Sequence, residues 1–462
     1  MPPLEDRPGD VTAAGIEAPL LTQALCQFAA LPAEAMPPLA RATARLSLLD
    51  WAAVALAGAE EPVSKIVRQA ALRDGGRAEA GIIGSPVRLP ARAAALVNGT
   101  VSHALDYDDT HFLHVGHPSV AILPAVLALA EAEGLPGRAV LPAALVGMEA
   151  SCRVGHWLGT AHYNAGFHQT ATAGGFGATI AAARLLGLPP EAVAMALGLA
   201  STRVSGLKSQ FGTMGKPFNA GLAASNGVEA ARLAAAGFLS APGALEGPQG
   251  FGETHAQGGA APVAALAGLG ESWVFEQVSY KFHACCHGLH AMLEALGTMR
   301  NVAPGSVAEV TIRTNPRWLK VCNIETPGTG LEAKFSYRHT AAMALAGWET
   351  GALASYSEAA CTDPTLAALR TRVAVVSDST VSDTATDVTV RLNDGTERRA
   401  AHDLATPEPL EQRRAKLHAK ASALLGAAPA EALADRIESL ETMDTPVTLA
   451  WLLTGDADCL TH

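Results

Sequence analysis

Apolar residues recur at helical spacing through most of the first half of the chain. The segments that show this pattern are 39–58, 121–134, 140–159, 177–187, 190–202 and 222–237. Glycines repeatedly close these segments, as they do at the C-terminal ends of helices. Several segments are apolar on nearly every side, which is typical of helices inside a cluster rather than at its surface. The pattern therefore predicts a large helical unit.

The pattern changes to that of strands after residue 262. Predicted strands occupy 307–315, 371–378 and both halves of 385–401, where β-branched residues are frequent. The turn "NDG" at 393–395 separates the two halves and is a strong hairpin signal. Helices are expected at 286–299, 339–345 and 408–453.

These elements predict a mostly α fold with two domains. The larger is all-helical and built from both chain ends, residues 1–264 and 405–462. The smaller is an inserted α+β domain, residues 265–404. Hydrophobic residues make up 49% of the 462 residues and charged residues 17%, a composition that suits a large buried core and excludes a disordered chain.

Charge and cysteine usage narrow the class of protein. The formal net charge of −11 argues against nucleic-acid binding. The seven scattered cysteines do not resemble a disulfide framework, so a cytoplasmic location is expected. The N-terminal "MPPLEDRPGD" lacks the apolar core of a signal peptide. The longest apolar run, 120–130, is too short to span a bilayer, so no membrane segment is expected.

The stretch "HALDYDDTHFLHVGHPS" (103–119) is the first candidate for chemistry. His111, His114 and His117 are spaced i, i+3, i+6 close to three aspartates, and these side chains would suit zinc or iron. Pro118 biases His117 away from a helix, so the histidines do not share a helical face simply. An acid–base site is therefore favoured over a metal site, and a plain polar loop remains an alternative.

Two further motifs suggest ligands only weakly. "FHACCHGLH" (282–290) lacks the CxxC spacing of a zinc site, so Cys285 and Cys286 are expected to be small buried residues. "TAGGFGATI" (172–180) resembles a phosphate-binding loop, but the third glycine and the preceding strand are missing. Close helix packing explains its glycines equally well.

Two lysines are candidates for binding a carboxylate as point charges. Lys216 lies between Gly215 and Pro217, which predicts a position outside a regular helix. Lys281 stands where the predicted α+β domain begins. A solvated surface position is the alternative for both side chains.

Five segments together resemble the MmgE/PrpD family, which includes 2-methylcitrate dehydratase, cis-aconitate decarboxylase and iminodisuccinate epimerase. They are "NGTVSHALDYDDTHFLHVGHPSVAILPAVLALAE" (98–131), "GFHQTATAGGFGATIAAARLLGL" (166–188), "FGTMGKPFNAGLAASNGVEAARLA" (211–234), "YKFHACCHGLHA" (280–291) and "EAKFSYRHTAAMAL" (332–345). The resemblance covers nearly the whole chain. It implies the fold predicted above, a homodimer, and an active site between the domains that needs no metal or other cofactor.

The resemblance also implies the site residues. The positions matching the decarboxylase pattern are Asp106, Thr110, His117, His168, Lys216 and Lys281. Cys286 stands where the decarboxylases carry a histidine, and the segment from Thr110 to His117 is one residue longer than theirs. The cysteine argues against a decarboxylase, and the longer segment makes the match of His117 to the family histidine less certain. The wording "DYDDTH" likewise differs from the "DFNDTW" of bacterial methylcitrate dehydratases.

The implied substrate is a small di- or tricarboxylate, converted by proton transfer next to a carboxylate. Lys216 and Lys281 would bind carboxylates and stabilise developing charge. His117 or His168 would move the proton, and Asp106 would orient a histidine. Thr110 and Cys286 would contact the substrate. A hydro-lyase resembling 2-methylcitrate dehydratase is the first interpretation. An epimerase, a decarboxylase and a non-catalytic binding protein are the alternatives, and a metal-dependent hydrolase is a minor one.

Overall fold

The computed structural model describes residues 20–256, 262–299 and 302–455. Its α-helices are α1 (Leu20–Ala29), α2 (Pro38–Ala57), α3 (Pro62–Asp74), α4 (Ala91–Ser102), α5 (Ile122–Ala132), α6 (Val140–Ala165), α7 (Gln169–Leu185), α8 (Pro190–Ser201), α9 (Gly215–Ala235), α10 (Phe251–His255), α11 (Pro262–Leu266), α12 (His290–Gly297), α13 (Pro316–Leu319), α14 (Gly330–Ala333), α15 (Tyr337–Leu345), α16 (Glu358–Thr362), α17 (Pro364–Arg370), α18 (Leu410–Leu425), α19 (Ala427–Ser439) and α20 (Leu449–Thr454). The predicted helices of the first half are confirmed, and the mostly α fold class with them.

Two of these helices begin earlier than their apolar patterns predict. α7 starts at Gln169, so the glycine-rich segment 172–180 lies inside a helix and forms no phosphate loop. A Cβ on Gly177 would lie only 2.7 Å from the Cβ of Ser151, which shows that this glycine allows α6 and α7 to pack closely. α9 starts at Gly215, so the prediction that Lys216 lies outside a helix is wrong. Pro217 is tolerated there because backbone N–H groups of the first turn have no partner within the helix.

The strands form two separate sheets. They are β1 (Ala80–Ile82), β2 (Ser85–Leu89), β3 (Val307–Thr314), β4 (Val373–Ser377), β5 (Ala385–Leu392) and β6 (Glu397–Asp403). The first two strands form a short antiparallel hairpin that the sequence patterns did not predict. The other four form one sheet in the order β4-β3-β5-β6, in which only the β3–β4 pair is parallel. The predicted hairpin is confirmed, with Gly395 of "NDG" at a φ of 85°.

The buried apolar side chains form two clusters. One cluster draws on residues 21–280 and 417–453, and therefore on both ends of the described chain. The other draws mainly on residues 284–390, and Val54 and Tyr107 also belong to it. The domain boundaries at 264/265 and 404/405 stay a prediction. Within the described residues, no helix combines the length and the apolar character needed to cross a bilayer.

The helices at the centre of the larger cluster approach one another closely. α9 packs on α4 and α7, and α18, from near the end of the chain, packs on α2. The contact between α4 and α9 depends on two glycines, because a Cβ on Gly99 would lie 2.8 Å from the Cα of Gly221. This packing matters for the site below, since α4 leads into the 103–119 stretch and α9 carries Lys216.

We expect Gly221→Ala to destabilise the protein, although alanine is the better helix former. A methyl group at this position would collide with the Leu96 carbonyl oxygen and the Thr100 hydroxyl group on α4. Overpacking of this kind costs about 1–3 kcal/mol, so Tm measured by circular dichroism should fall. Gly297→Ala is the matched control, because a Cβ there meets nothing within 4 Å. Equal Tm values for the two variants would contradict the close approach of α4 and α9.

Candidate active site

Asp106 is the centre of a cluster of charged side chains. Its carboxylate oxygens lie 2.6 Å from Lys216 Nζ and 3.0 Å from Lys281 Nζ. One of these oxygens also lies 3.3 Å from His117 Nε2. Lys281 Nζ donates in addition to the backbone carbonyl of Asp106, at 2.5 Å. The structure thus brings together four of the predicted site residues.

The backbone after α4 explains how two carboxylates reach one imidazole. Asp106 has a φ of 50°, in the left-handed region that aspartate tolerates better than most residues. The turn places Asp106 beside His117 Nε2 and Asp108 beside His117 Nδ1, where Asp108 Oδ2 is 3.0 Å away. Both ring nitrogens of His117 therefore face a carboxylate oxygen.

A second histidine shares Asp108. Nδ1 of His103 lies 2.8 Å from Asp108 Oδ1, and the rings of His103 and His117 meet edge to face with centroids 4.6 Å apart. His103, Asp108 and His117 are all buried. A buried carboxylate between two imidazoles fixes the orientation of both rings.

His168 reaches the same group of rings from α7, which it caps. Its backbone N–H donates to the Gly206 carbonyl at 2.9 Å. Its ring stacks on that of His103 at a centroid distance of 6.1 Å and meets Phe211 edge to face at 5.0 Å. Asn219 Nδ2 lies 3.4 Å from His168 Nδ1. His168 is thus joined to the Asp106 cluster through His103.

The local charges push the pKa values of the two predicted histidines apart. Burial would lower the pKa of His117, but the carboxylates of Asp108 and Asp106 outweigh it and raise that pKa above its usual value. Burial, together with the positive charge of Lys216, holds the pKa of His168 well below its usual value. Of the two, His117 therefore holds a proton more readily, and His168 is the one whose surroundings favour the neutral form.

The carboxylates of the cluster remain ionised. Burial would raise the pKa of Asp106, yet Lys216 and Lys281 hold it well below its ordinary value. Burial opposes ionisation of Asp108 in the same way, and the two imidazoles outweigh it, so its pKa is also lowered well below the usual range. Asp106 keeps 47% of its side-chain surface open to the space beside the lysines.

Thr110 and Cys286 lie at the edge of this cluster and not at its centre. Thr110 pairs its backbone with Ser279 through two hydrogen bonds of 2.8 Å, and its hydroxyl group lies 3.3 Å from His287 Nδ1. The thiol of Cys286 is paired with that of Cys322, and this hydrogen bond lowers the pKa of Cys286. The Thr110–Ser279 pairing ties the 103–119 stretch to the segment that carries Lys281.

The structure does not support the zinc arrangements considered from the sequence. His111 is hydrogen-bonded to the Val274 carbonyl at 2.9 Å, and burial lowers the pKa of His111 to about 4 and that of His114 to about 3. Neither ring joins the Asp106 cluster. Among the described residues, the cysteines and histidines of 282–290 do not gather into a metal-binding group either.

One group of side chains is close enough to enclose a metal ion. Ligand atoms of His103, Asp106, Asp108 and His117 lie within 4.8 Å of one another. The ammonium groups of Lys216 and Lys281 already neutralise Asp106 and would repel a divalent cation. His117 would also have to lose its proton. The set therefore fits a protonated imidazole better than a metal.

Sequence reasoning missed three members of the site. His103 and Asp108 stand in the stretch that was singled out, but the family pattern directed attention to other positions. Asn219 follows Lys216 by three residues on α9, and residues at this spacing share a helical face. That spacing was the available signal for Asn219.

Comparison with known proteins identifies the family. A model of the MmgE/PrpD N-terminal domain matches residues 23–305, and a model of the MmgE/PrpD C-terminal domain matches residues 283–443. The chain belongs to the MmgE/PrpD family. The resemblance inferred from the sequence segments is thereby confirmed.

Similar members of the family are named cis-aconitate decarboxylases. The protein from Aspergillus terreus is 32% identical over 298 residues, which are 62% of this chain and 61% of that protein. The chain thus matches less than two thirds of that relative's length. The Homo sapiens protein is 29% identical over 395 residues, 80% of each chain. The Mus musculus protein is 29% identical over 394 residues, 80% of this chain and 79% of that one.

We expect His117 to be cationic at neutral pH and His168 to be neutral. Nuclear magnetic resonance of ¹⁵N-labelled histidines measures both states, with His117→Gln and His168→Gln used to assign the signals. Asp106→Asn should lower the pKa of His117, because it removes one of the two carboxylates that raise it. A His117 ring that is already neutral at pH 6 would contradict the electrostatic account.

The charge on His117 also predicts a dependence of stability on pH. Its pKa is raised in the folded state above an unfolded value of about 6.5. Its contribution to stability is therefore complete below about pH 6.5 and is lost as the pH rises through the folded pKa. Urea denaturation of wild type and His117→Gln should show the larger stability difference at the lower pH. A difference that grows with rising pH would refute this assignment.

Proposed function

We propose that this protein is a lyase that eliminates water from a small hydroxy di- or tricarboxylate. The observation that carries the proposal is the cluster around Asp106, where two lysines and an imidazole whose pKa is raised meet one carboxylate. Cations that already bind a carboxylate, beside a proton donor, suit a reaction that builds charge next to a carboxylate. A homodimeric, cytoplasmic enzyme is part of the proposal and rests on the family resemblance and the scattered cysteines.

The lysines provide the substrate subsite in this proposal. Lys281 is almost entirely buried and Lys216 largely so, with 5% and 14% of their side-chain surfaces exposed. An unpaired ammonium group is costly to bury, and Asp106 pairs with both of these. A substrate carboxylate beside Asp106 would share these donors. The same contacts would stabilise the negative charge that develops on that carboxylate during proton abstraction.

The pKa values of the two histidines suggest their roles, because divergent pKa values separate an acid from a base. Neutral His168 would take the proton from the carbon next to the carboxylate, and the electron pair would move into that carboxylate. Cationic His117 would give its proton to the departing hydroxyl group as the C–O bond breaks. The products are an alkene and water. Asp108 would hold His117 and keep it charged before each turnover.

A decarboxylase is the second candidate, favoured by the names of the similar proteins. Loss of CO₂ leaves an electron pair on carbon, which needs a proton donor but no base. His117 alone would serve such a reaction, and His168 would be dispensable for proton transfer. The two candidates thus differ in what they require of His168.

The reaction itself should be visible by proton NMR of the chelator-treated protein in D₂O. Citrate, 2-methylcitrate, cis-aconitate, malate and iminodisuccinate would be tested separately. An alkene formed from a hydroxy acid, without CO₂ release, is the expected result: it would show as a vinyl signal from citrate or malate, and as a vinyl signal or an allylic methyl singlet from 2-methylcitrate. CO₂ release from cis-aconitate would favour the decarboxylase, and exchange of a C–H signal without elimination would favour an epimerase. Activity that appears only after zinc or iron is added would overturn the proposed role of the lysine and histidine cluster.

His168→Gln separates the two candidates at the level of one residue. Under the elimination proposal this change should lower kcat by a factor of about 100 or more, the usual effect of losing a general base. His162→Gln is the matched control, because His162 is a buried histidine that contacts Thr172 and the His255 carbonyl, away from the cluster. Undiminished turnover by His168→Gln would rule out His168 as the base.

Lys216→Met tests the carboxylate subsite. It should lower kcat/KM by a factor of about 100 or more, on the scale of a lost electrostatic contact to the transition state. Lys208→Met is the control, since Lys208 Nζ lies over the Tyr163 ring at 3.5 Å and has no contact with Asp106 in the described structure. Similar activity for the two variants would contradict the subsite.

A further inference from the structure

A buried ion pair outside the Asp106 cluster contacts the loop that carries the carboxylates of Asp106 and Asp108. Lys420 on α18 lies 2.5 Å from Asp50 Oδ1 on α2, and both side chains are almost completely buried, at 1% and 0% exposure. Lys420 Nζ also donates to the backbone carbonyl of Tyr107 at 2.6 Å. Tyr107 stands between Asp106 and Asp108. The pair therefore contacts the backbone between the two carboxylate residues.

Tyr107 is held at three points. Lys420 binds its carbonyl, the same ammonium group lies 3.9 Å from the centre of its ring, and its hydroxyl group donates to the Gly351 carbonyl at 3.0 Å. The ring belongs to the second hydrophobic cluster, whereas α2 and α18 contribute mainly to the first. These contacts fix the Tyr107 side chain at the boundary between the two hydrophobic clusters.

Two lysines bind consecutive carbonyl groups of this loop. Lys281 takes the carbonyl of Asp106 and Lys420 takes the carbonyl of Tyr107. Asp106 is in a left-handed conformation, which persists only where surrounding contacts hold it. The two carbonyl contacts supply that hold. They set the peptide orientation that directs the Asp106 and Asp108 carboxylates toward the same imidazole.

We propose that Lys420, paired with Asp50, is a positioning residue that keeps the carboxylates of Asp106 and Asp108 on the two ring nitrogens of His117. Its effect on turnover rests on the function proposed above, whereas its effect on the His117 ring does not. A buried pair is an expensive way to gain stability, because desolvation offsets much of the attraction. Burial indeed raises the pKa of Asp50 to about 6 and lowers that of Lys420. Lys420 donates a hydrogen bond to the Tyr107 carbonyl, and an apolar side chain in its place could not do so.

The test replaces both charges at once with side chains of similar size. In Lys420→Met/Asp50→Asn no unpaired charge is left in the core, so the double variant should fold even where Lys420→Met alone does not. Folding is checked by circular dichroism and Tm. Lys416→Met is the matched control: Lys416 lies one turn earlier on α18 and pairs with Glu294 and Glu408 instead of the loop.

The first readout needs no substrate. At pH 7 the ¹⁵N signals of the His117 ring should shift toward those of a neutral imidazole in the double variant, where the carboxylates are displaced from its two nitrogens, and stay as in wild type in Lys416→Met. Unchanged His117 signals in a folded double variant would overturn the proposal, whether or not any substrate of the lyase panel is turned over. Because this measurement uses no substrate, it tests the positioning role of Lys420 independently of the proposed lyase activity.

The second readout is turnover on the substrate identified by the lyase panel. Misplaced catalytic groups act mainly on kcat, so kcat should fall at least about tenfold while KM changes less than about threefold. Lys416→Met should match wild type in both constants. An equal loss of kcat in the control and the double variant would show a general loss of stability and overturn the positioning role. An unchanged kcat in the folded double variant would also overturn it.

Discussion

The site is organised by the attraction between the Asp106 carboxylate and two buried lysines. Lys216 and Lys281 come from different parts of the chain, and each would be destabilising in the protein interior without a negative partner. Asp106 satisfies both and remains ionised because of them. Its negative charge, with that of Asp108, then raises the pKa of His117. One carboxylate thus makes buried cations tolerable and raises the pKa of the neighbouring imidazole.

Three distant parts of the chain bring the lysines to Asp106 and hold the loop that carries it. α9 delivers Lys216 at its first turn, the segment paired with Thr110 delivers Lys281, and α18 returns from the far end of the chain to hold Tyr107. These contacts span 110 to 313 residues of sequence. Long-range contacts from three elements hold one short loop in place. An aspartate keeps a left-handed conformation only where the surrounding contacts hold it in this way.

Much of this arrangement was accessible from sequence, but not the parts that depend on distant contacts. Periodicity located the helices and the "NDG" hairpin because these are local preferences. Family resemblance singled out Asp106, His117, Lys216 and Lys281, which the structure brings together. The prediction that Lys216 lies outside a helix was wrong. Proline normally breaks a helix, but the first turn accepts it, and Pro217 lies in the first turn of α9.

The pairings inside the cluster could not have been predicted. They accompany the positive φ of Asp106, in a loop that Lys281 contacts at Asp106 from 175 residues away and Lys420 contacts at Tyr107 from 313 residues away. Without that geometry, nothing in the spacing of the 103–119 stretch shows that Asp108 bridges His103 and His117. The position of Lys420 carries no local signal at all, because a lysine on an amphipathic helix normally faces solvent.

The same electrostatics bear on how the site would respond to a substrate. A carboxylate that enters beside Lys216 and Lys281 adds negative charge close to His117. Added negative charge stabilises the cationic form of an imidazole, so substrate binding would strengthen the protonation of His117. Burial and the charge of Lys216 oppose protonation of His168, and a bound carboxylate would partly neutralise that lysine charge. Binding would thus leave the acid charged while making the base more basic, and both changes favour proton transfer next to the carboxylate.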